Sequence, residues 1–152
     1  LHPQVYTMKN KFKCILLVDD NDDDNFIHTR VIRKMDCAEK IVVCYNGLEA
    51  MEFLTTPVNG VHPQPDLIFL DINMPGMDGW EFLREYKKLD SNQQADVVMI
   101  MLSTSVNPDD HKRASEDPSI HSFLSKPLDS ETLERIITDH FPAMREEWQS
   151  TQ

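Results

Sequence analysis

A chain of 152 residues, 40% of them hydrophobic and 27% charged, has the size and balance of one compact domain, with little length left for an attached output domain. Its 26 acidic residues against 15 basic ones give a net charge of −11, which argues against a nucleic-acid partner, because a phosphate backbone is bound by clustered Lys and Arg. No apolar run approaches the roughly 20 residues that span a bilayer, and the first residues lack a signal-peptide pattern, so the chain reads as cytoplasmic, with no membrane partner.

Residues 1–12 read as an N-terminal extension in which Met8-Lys9-Asn10-Lys11 resembles a natural start and Leu1–Thr7 lies upstream of it. The first strand is Cys14-Ile15-Leu16-Leu17-Val18, an unbroken apolar run of the kind buried on both faces of a sheet. A helix from about Asn25 to Met35 follows, with Ile27, Val31 and Met35 at four-residue spacing behind a cluster of capping aspartates. Ile41–Cys44 is the second strand, and Leu48, Met51 and Leu54 form one side of a helix from about Asn46 to Leu54. The turn-rich stretch Thr56–Pro65 connects to the third strand, Leu67–Leu70.

After Gly79 a helix uses Phe82, Leu83 and Tyr86, and Val97–Leu102 is the fourth strand. The helix after Pro108 has almost no apolar face to bury, since it reads Asp109-Asp110-His111-Lys112-Arg113, and its hold on the sheet is expected to be weak. A fifth strand covers about Ile120 to Leu124, interrupted by His121 and Ser122. The last helix runs from Asp129, its N-cap, to His140, with Leu133, Ile136 and Ile137 inward. Residues 142–152 read as a tail of weak helical character, with Met144 and Trp148 four apart.

Strand and helix alternate five times, which implies an α/β domain over residues 13–141: a parallel sheet covered by helices on both faces. Cys14, Cys37 and Cys44 show no C-x-x-C or zinc spacing and read as free thiols, and the six histidines form no metal-ligand pattern.

Ligands of such sheets sit beyond the carboxyl ends of the strands. Asp19-Asp20 falls just past the first strand, Asp71 past the third, Ser103-Thr104 past the fourth and Lys126-Pro127 past the fifth, so all converge at one edge. Three carboxylates crowded together repel, and one stays protonated unless a cation neutralises the group. Mg²⁺ suits such hard oxygen ligands and commonly bridges carboxylate to phosphate. An aspartate held beside it can attack phosphorus and form an acyl phosphate, while metal and lysine absorb the charge on the transferring oxygens.

Leu17-Val18-Asp19-Asp20-Asn21, Asp71-Ile72-Asn73-Met74-Pro75 with Gly79, Leu102-Ser103-Thr104 and Lys126-Pro127 together resemble the signature of CheY-like response-regulator receiver domains. The resemblance implies a flavodoxin-like doubly wound sheet of five parallel strands, order 2-1-3-4-5, with five helices in a three-layer sandwich. It implies that Asp71 is the phospho-acceptor, Asp20 a direct Mg²⁺ ligand, Asp19 an acid that holds the ion mostly through water, and Asn73 a ligand through its backbone carbonyl. Lys126 would pair with the phosphoryl oxygens. The hydroxyl role falls on Ser103, with Phe123 at the aromatic switch position, or on Thr104 if the register slips by one.

The resemblance further implies a single-domain regulator of a two-component phosphorelay that is not itself an enzyme. A sensor histidine kinase or histidine phosphotransfer protein would feed it, and it would act on a downstream protein target or pass the phosphoryl group on. A homodimer through the face of the fourth helix, fifth strand and fifth helix is compatible with this. Three departures stand out: Thr104 where a small residue is usual, Phe123 in place of a tyrosine, and Pro118-Ser119-Ile120-His121 in place of the usual Gly-Ala. Other readings weigh less. A calcium loop counted from Asp20 puts Asn25 and Val31 where Gly and Glu are needed. The second aspartate of an aspartate-nucleophile phosphatase is missing after Asp71-Ile72, and a phosphorylation-independent adaptor has no need of the intact Asp19, Asp20, Asp71 and Lys126 set.

Overall fold

The computed structural model describes the backbone of residues 5–7, 10–147 and 149–151, and the side chains of residues 10–144. A short strand β1 (Val5–Thr7) is followed by five strands that the apolar runs supply: β2 (Ile15–Val18), β3 (Ile41–Cys44), β4 (Leu67–Leu70), β5 (Val98–Ser103) and β6 (Ser122–Ser125). These five form one parallel sheet in the order β3-β2-β4-β5-β6, which is 2-1-3-4-5 when they are counted alone. β1 instead pairs antiparallel with β7 (Gln149–Thr151) in a separate two-stranded ribbon.

Strands β2, β4 and β5 are central and wholly buried, as unbroken apolar runs require, whereas β3 and β6 are edges and mostly half-buried. β6 begins two residues later than its apolar pattern predicts. His121 explains the delay: its ring Nδ1 accepts the Met99 N–H at 3.0 Å while its own N–H donates to the Met99 carbonyl at 2.8 Å, so a side chain takes the ladder position a backbone group would fill.

The helices are α1 (Asp22–Met35), α2 (Gly47–Thr55), α3 (Gly79–Tyr86), α4 (Ser91–Gln94), α5 (Pro108–Glu116), α6 (Ser130–His140) and α7 (Pro142–Glu147). Alternate strand residues point to opposite faces and divide the core in two. Leu16, Val18, Ile68, Leu70, Met99 and Met101 pack with residues of α2, α3 and α5, while Ile15, Leu17, Leu67, Phe69, Ile100 and Leu102 pack with α1 and α6. The three layers match expectation.

The helix count does not: among the described residues there are seven rather than five. α4 is a single polar turn with no buried residue, and α7 starts at Pro142, a residue suited to a first turn; neither is long enough to show apolar periodicity. Met144 of α7 packs on the α1/α6 side of the core, and Trp148 lies outside the described residues.

Two helices are rotated from their predicted faces. In α1 the buried stripe is Asn25, His28 and Ile32, with Ile27 in solvent. In α2 it is Gly47, Ala50 and Leu54, with Leu48 exposed. Gly47 sets the second rotation: its N–H donates to the Met77 carbonyl at 3.1 Å, and a Cβ there would stand 2.6 Å from Met77 Cγ. The residues of α3 predicted inward, Phe82, Leu83 and Tyr86, are buried, as are Leu133, Ile136 and Ile137 of α6, whose N-cap is Asp129. α5 buries only Ala114 and is held instead by polar groups: Trp80 Nε1 donates to Asp110 Oδ1 at 3.1 Å, and the Arg113 guanidinium lies 4.4 Å over the Trp80 ring.

Gly79 brings α3 against the end of β4. Its N–H donates to the Ile72 carbonyl at 2.8 Å, and a Cβ would lie 2.3 Å from the Asp71 carbonyl oxygen and 2.9 Å from Ile72 Cα. Backbone atoms cannot swing aside as side chains do. A Gly79→Ala variant should therefore lose about 1–3 kcal/mol of stability, seen as a lower urea midpoint at unchanged slope.

Candidate functional site

The parallel ladder carries two aspartates to one place. One residue past β2 the Asp19 N–H donates to the Cys44 carbonyl (3.0 Å), and one residue past β4 the Asp71 N–H donates to the Val18 carbonyl (2.9 Å). Both carboxylates are buried at the carboxyl edge of the sheet, while Asp20 is exposed beside them. One carboxylate oxygen from each of Asp19, Asp20 and Asp71 lies within 4.8 Å of the other two, a grouping unique among the described residues.

Lys126 reaches this cluster from the loop after β6. Its N–H donates to the Ser103 carbonyl (3.1 Å) and its peptide to Pro127 is cis. The ammonium stands 2.6 Å from Asp19 Oδ2, 2.8 Å from Asp24 Oδ2 and 3.5 Å from Asp71 Oδ1. Asp24 departs from the expectation that the aspartates ahead of the first helix serve as caps, because its carboxylate pairs with Lys126. Asn21 is the N-cap of α1, its side chain accepting the Asp24 N–H at 3.0 Å, and this leaves the Asp24 carboxylate to pair with Lys126. Asp19 is fixed on two sides, since its Oδ1 accepts the Asn21 N–H (3.0 Å) and its carbonyl accepts from Asn25 Nδ2 (2.9 Å).

Burial and the charge of Asp19 push Asp71 up to about 6, against the opposing pull of Lys126. Burial also works against the Lys126 charge, but its bonds to Asp19 and Asp24 and the charge of Asp71 outweigh it and raise the ammonium above its ordinary range. Hard oxygen donors with no sulfur or imidazole among them suit a divalent cation of the Mg²⁺ or Mn²⁺ kind.

The remaining predicted residues lie around this centre. Ser103 is buried, and its Oγ accepts the Ser105 N–H at 3.1 Å. Thr104 is exposed, as is Asn73 in the loop between β4 and α3. Phe123 is half-buried with its ring centroid 4.2 Å from that of His111. Sequence reasoning missed Ser105, which connects these parts. Its carbonyl accepts from His111 Nε2 (3.1 Å) and its hydroxyl donates to Asp110 Oδ2 (2.6 Å), so one residue contacts both Ser103 and the partner of Phe123. No sequence signal marks it, because each bond depends on where α5 docks. The thiols of Cys37 and Cys44 are free, buried and pushed up by that burial to about 12 and about 11.

Residues 15–138 match the response regulator receiver domain family. The chain belongs to that family. Response regulator Rcp1 of Synechocystis is 33% identical over 129 residues, spanning 84% of this chain and 86% of that protein. The probable methanogenesis regulatory protein FilR2 of Methanothrix harundinacea is 30% identical over 125 residues, 82% of this chain and 79% of the relative. Of the solved structures, a two component response regulator from Cytophaga hutchinsonii superposes with a TM-score of 0.78 at 29% identity, covering 88% of this chain and 99% of the other. The Mn²⁺-bound form of Rcp1 gives 0.64 at 29% identity, covering 88% and 90%. This receiver domain is therefore a response regulator of two-component signalling, and its acidic cluster is one that can bind a divalent metal.

The raised Asp71 has a measurable cost. Its acid is ordinarily near 3.8 and here about 6, so as pH rises between those values the unfolded chain ionises before the folded one and stability falls. Without divalent metal, Asp71→Asn should be about 1–3 kcal/mol more stable than the parent at about pH 7, and equal to it below about pH 4, in paired urea titrations.

Proposed function

We propose that this receiver takes a phosphoryl group onto Asp71 from a histidine of a sensor kinase or histidine phosphotransfer protein, with Mg²⁺ held by Asp19, Asp20, Asp71 and the backbone carbonyl of Asn73. The observation that carries the reading is the position of Asp71: a buried carboxylate at a strand end, flanked by Asp19 and with the Lys126 ammonium 3.5 Å from its Oδ1. In the transfer an Asp71 oxygen forms the new O–P bond as the donor's N–P bond breaks, and the departing imidazole keeps that bond's electron pair and is reprotonated from solvent. A bound Mg²⁺ supplies charge compensation for the carboxylates and for the phosphoryl oxygens.

The chain's own groups supply the rest. Lys126, held charged by its carboxylate partners, is near enough to Asp71 to share hydrogen bonds with a phosphoryl oxygen. The Ser103 hydroxyl donates to another, and the branched, exposed Thr104 beside it shields the acyl phosphate from in-line water. Phosphorylation then draws Ser103 inward, and Phe123 follows through Ser105 and His111. The face made by α5, β6 and α6 becomes the surface for a downstream protein or a second copy of the chain. The work is cytoplasmic in this reading, and no described helix is long and apolar enough to cross a membrane.

Asp71→Asn should abolish labelling by a small phosphodonor while its circular dichroism stays native, because the amide is nearly isosteric but a poor nucleophile. Equal labelling of the variant would sink the assignment. The switch is checked separately: beryllofluoride with Mg²⁺ should change amide exchange across residues 104–125 in the parent, and a His111→Ala variant should lose the part of that change that falls on β6.

A further inference from the structure

Among the described residues, three buried side-chain atoms have no hydrogen-bond partner: Asn25 Oδ1, His28 Nε2 and Tyr86 OH. The first two belong together. Asn25 and His28 are three positions apart on α1 and so share a face, 5% and 2% exposed respectively. Both line a small cavity whose wall also includes Asp19, Asp71, Phe69 and Leu102. The cavity has about 10 Å³ of space for the centre of a water molecule, the lower limit for holding one.

Chemistry narrows what the space is for. An unbonded buried polar atom carries a desolvation penalty, and two on one wall, beside the phosphoryl site, carry it twice. An apolar residue at position 28 would avoid its share. The Asn25 amide is oriented by its other end, since Nδ2 donates to the Asp19 carbonyl at 2.9 Å and Oδ1 is the atom left over. A single water can donate to Asn25 Oδ1 and bond His28 Nε2 at once, whichever ring nitrogen carries the proton. With that water absent, Oδ1 is left unpaired and the amide is held by its bond to the Asp19 carbonyl alone.

We propose that this cavity holds one water molecule between Asn25 Oδ1 and His28 Nε2, and that His28 is thereby a positioning residue for phosphoryl acceptance. His28 holds the water, the water holds the Asn25 amide, and the amide holds the backbone of Asp19, whose carboxylate carries Lys126 and stands beside Asp71. The inference rests on reading Asp71 as the phospho-acceptor.

The test compares His28→Leu with His28→Gln, whose amide reaches toward the same water, and runs Asp71→Asn alongside. His28→Leu should stay folded, since leucine brings no polar group to the buried site, yet accept phosphoryl from a small phosphodonor roughly 10- to 100-fold more slowly, the usual cost of losing an outer hydrogen-bond partner. His28→Gln should recover most of that rate. A high-resolution crystal structure or water–amide nuclear Overhauser effects on the unmodified protein should show the water in the cavity. His28→Leu labelled at the parent rate, no rescue by His28→Gln, or a dry cavity in the parent would each overturn the inference, and the last applies even if the leucine variant fails to fold. Labelling that survives Asp71→Asn would instead overturn the acceptor assignment, so the two failures are distinguishable.

Discussion

Repulsion between Asp19 and Asp71 is the constraint to which the carboxyl edge of this sheet answers. Parallel register leaves no choice about their closeness, because each is the first residue beyond one of two hydrogen-bonded strands. Two unit charges about 4–5 Å apart at an effective dielectric constant near 20 repel by about 3–4 kcal/mol, a sizeable part of the roughly 5–15 kcal/mol by which a domain is stable. One cation or one proton must therefore be present. The chain places Lys126 there, lets Asp71 rise to about 6, and adds Asp20 to complete a carboxylate cluster that can bind a divalent metal. Asp24 then balances a lysine that would otherwise lean wholly on the inner pair.

Much of this was legible in the sequence, for a physical reason. A short unbroken apolar run bounded by turn residues suits a strand buried on both faces, so Leu67–Leu70, between Pro65 and Pro75-Gly76, placed Asp71 at a strand end. The same logic located Asp19, and it located Ser103, which is the last residue of β5 and not one beyond it; Lys126 follows an edge strand whose apolar run is broken, and the resemblance placed it. Periodicity failed where burial is polar. The inward face of α1 is Asn25, His28 and Ile32, and a pattern built on apolar spacing turned the helix toward Ile27 instead. Leu48 was misplaced because close backbone approach at Gly47, rather than apolar bulk, decides which side of α2 meets the core. Asp24, Ser105, Asp110 and the ladder bond of His121 depend on elements distant in sequence, and local composition holds no trace of them.

Stability is spread unevenly over the molecule, and the distribution suits a switch. The core strands and α3 carry large apolar side chains, whereas α5 is tied down by hydrogen bonds from Trp80 and Ser105 and by one buried alanine. Elements that move in regulation come from the low-stability end of a structure. Hydrogen bonds are also directional, so in the switch proposed above a small rotation at Ser103 would be transmitted through Ser105 where a purely apolar contact would slide.

The sparse burial of α5 carries a consequence for divergence among related pathways. A helix whose outward positions owe almost nothing to folding can have its charges and shapes rewritten freely, while Ala114, Asp110 and Arg113 keep it docked. On the function proposed above, new partner preferences can then accumulate at the outward positions of that helix while the carboxylates at the strand ends stay unchanged. Paralogous copies would come to ignore one another's targets by drift in a few solvent-facing side chains, and insulation between signalling lines would need no new fold.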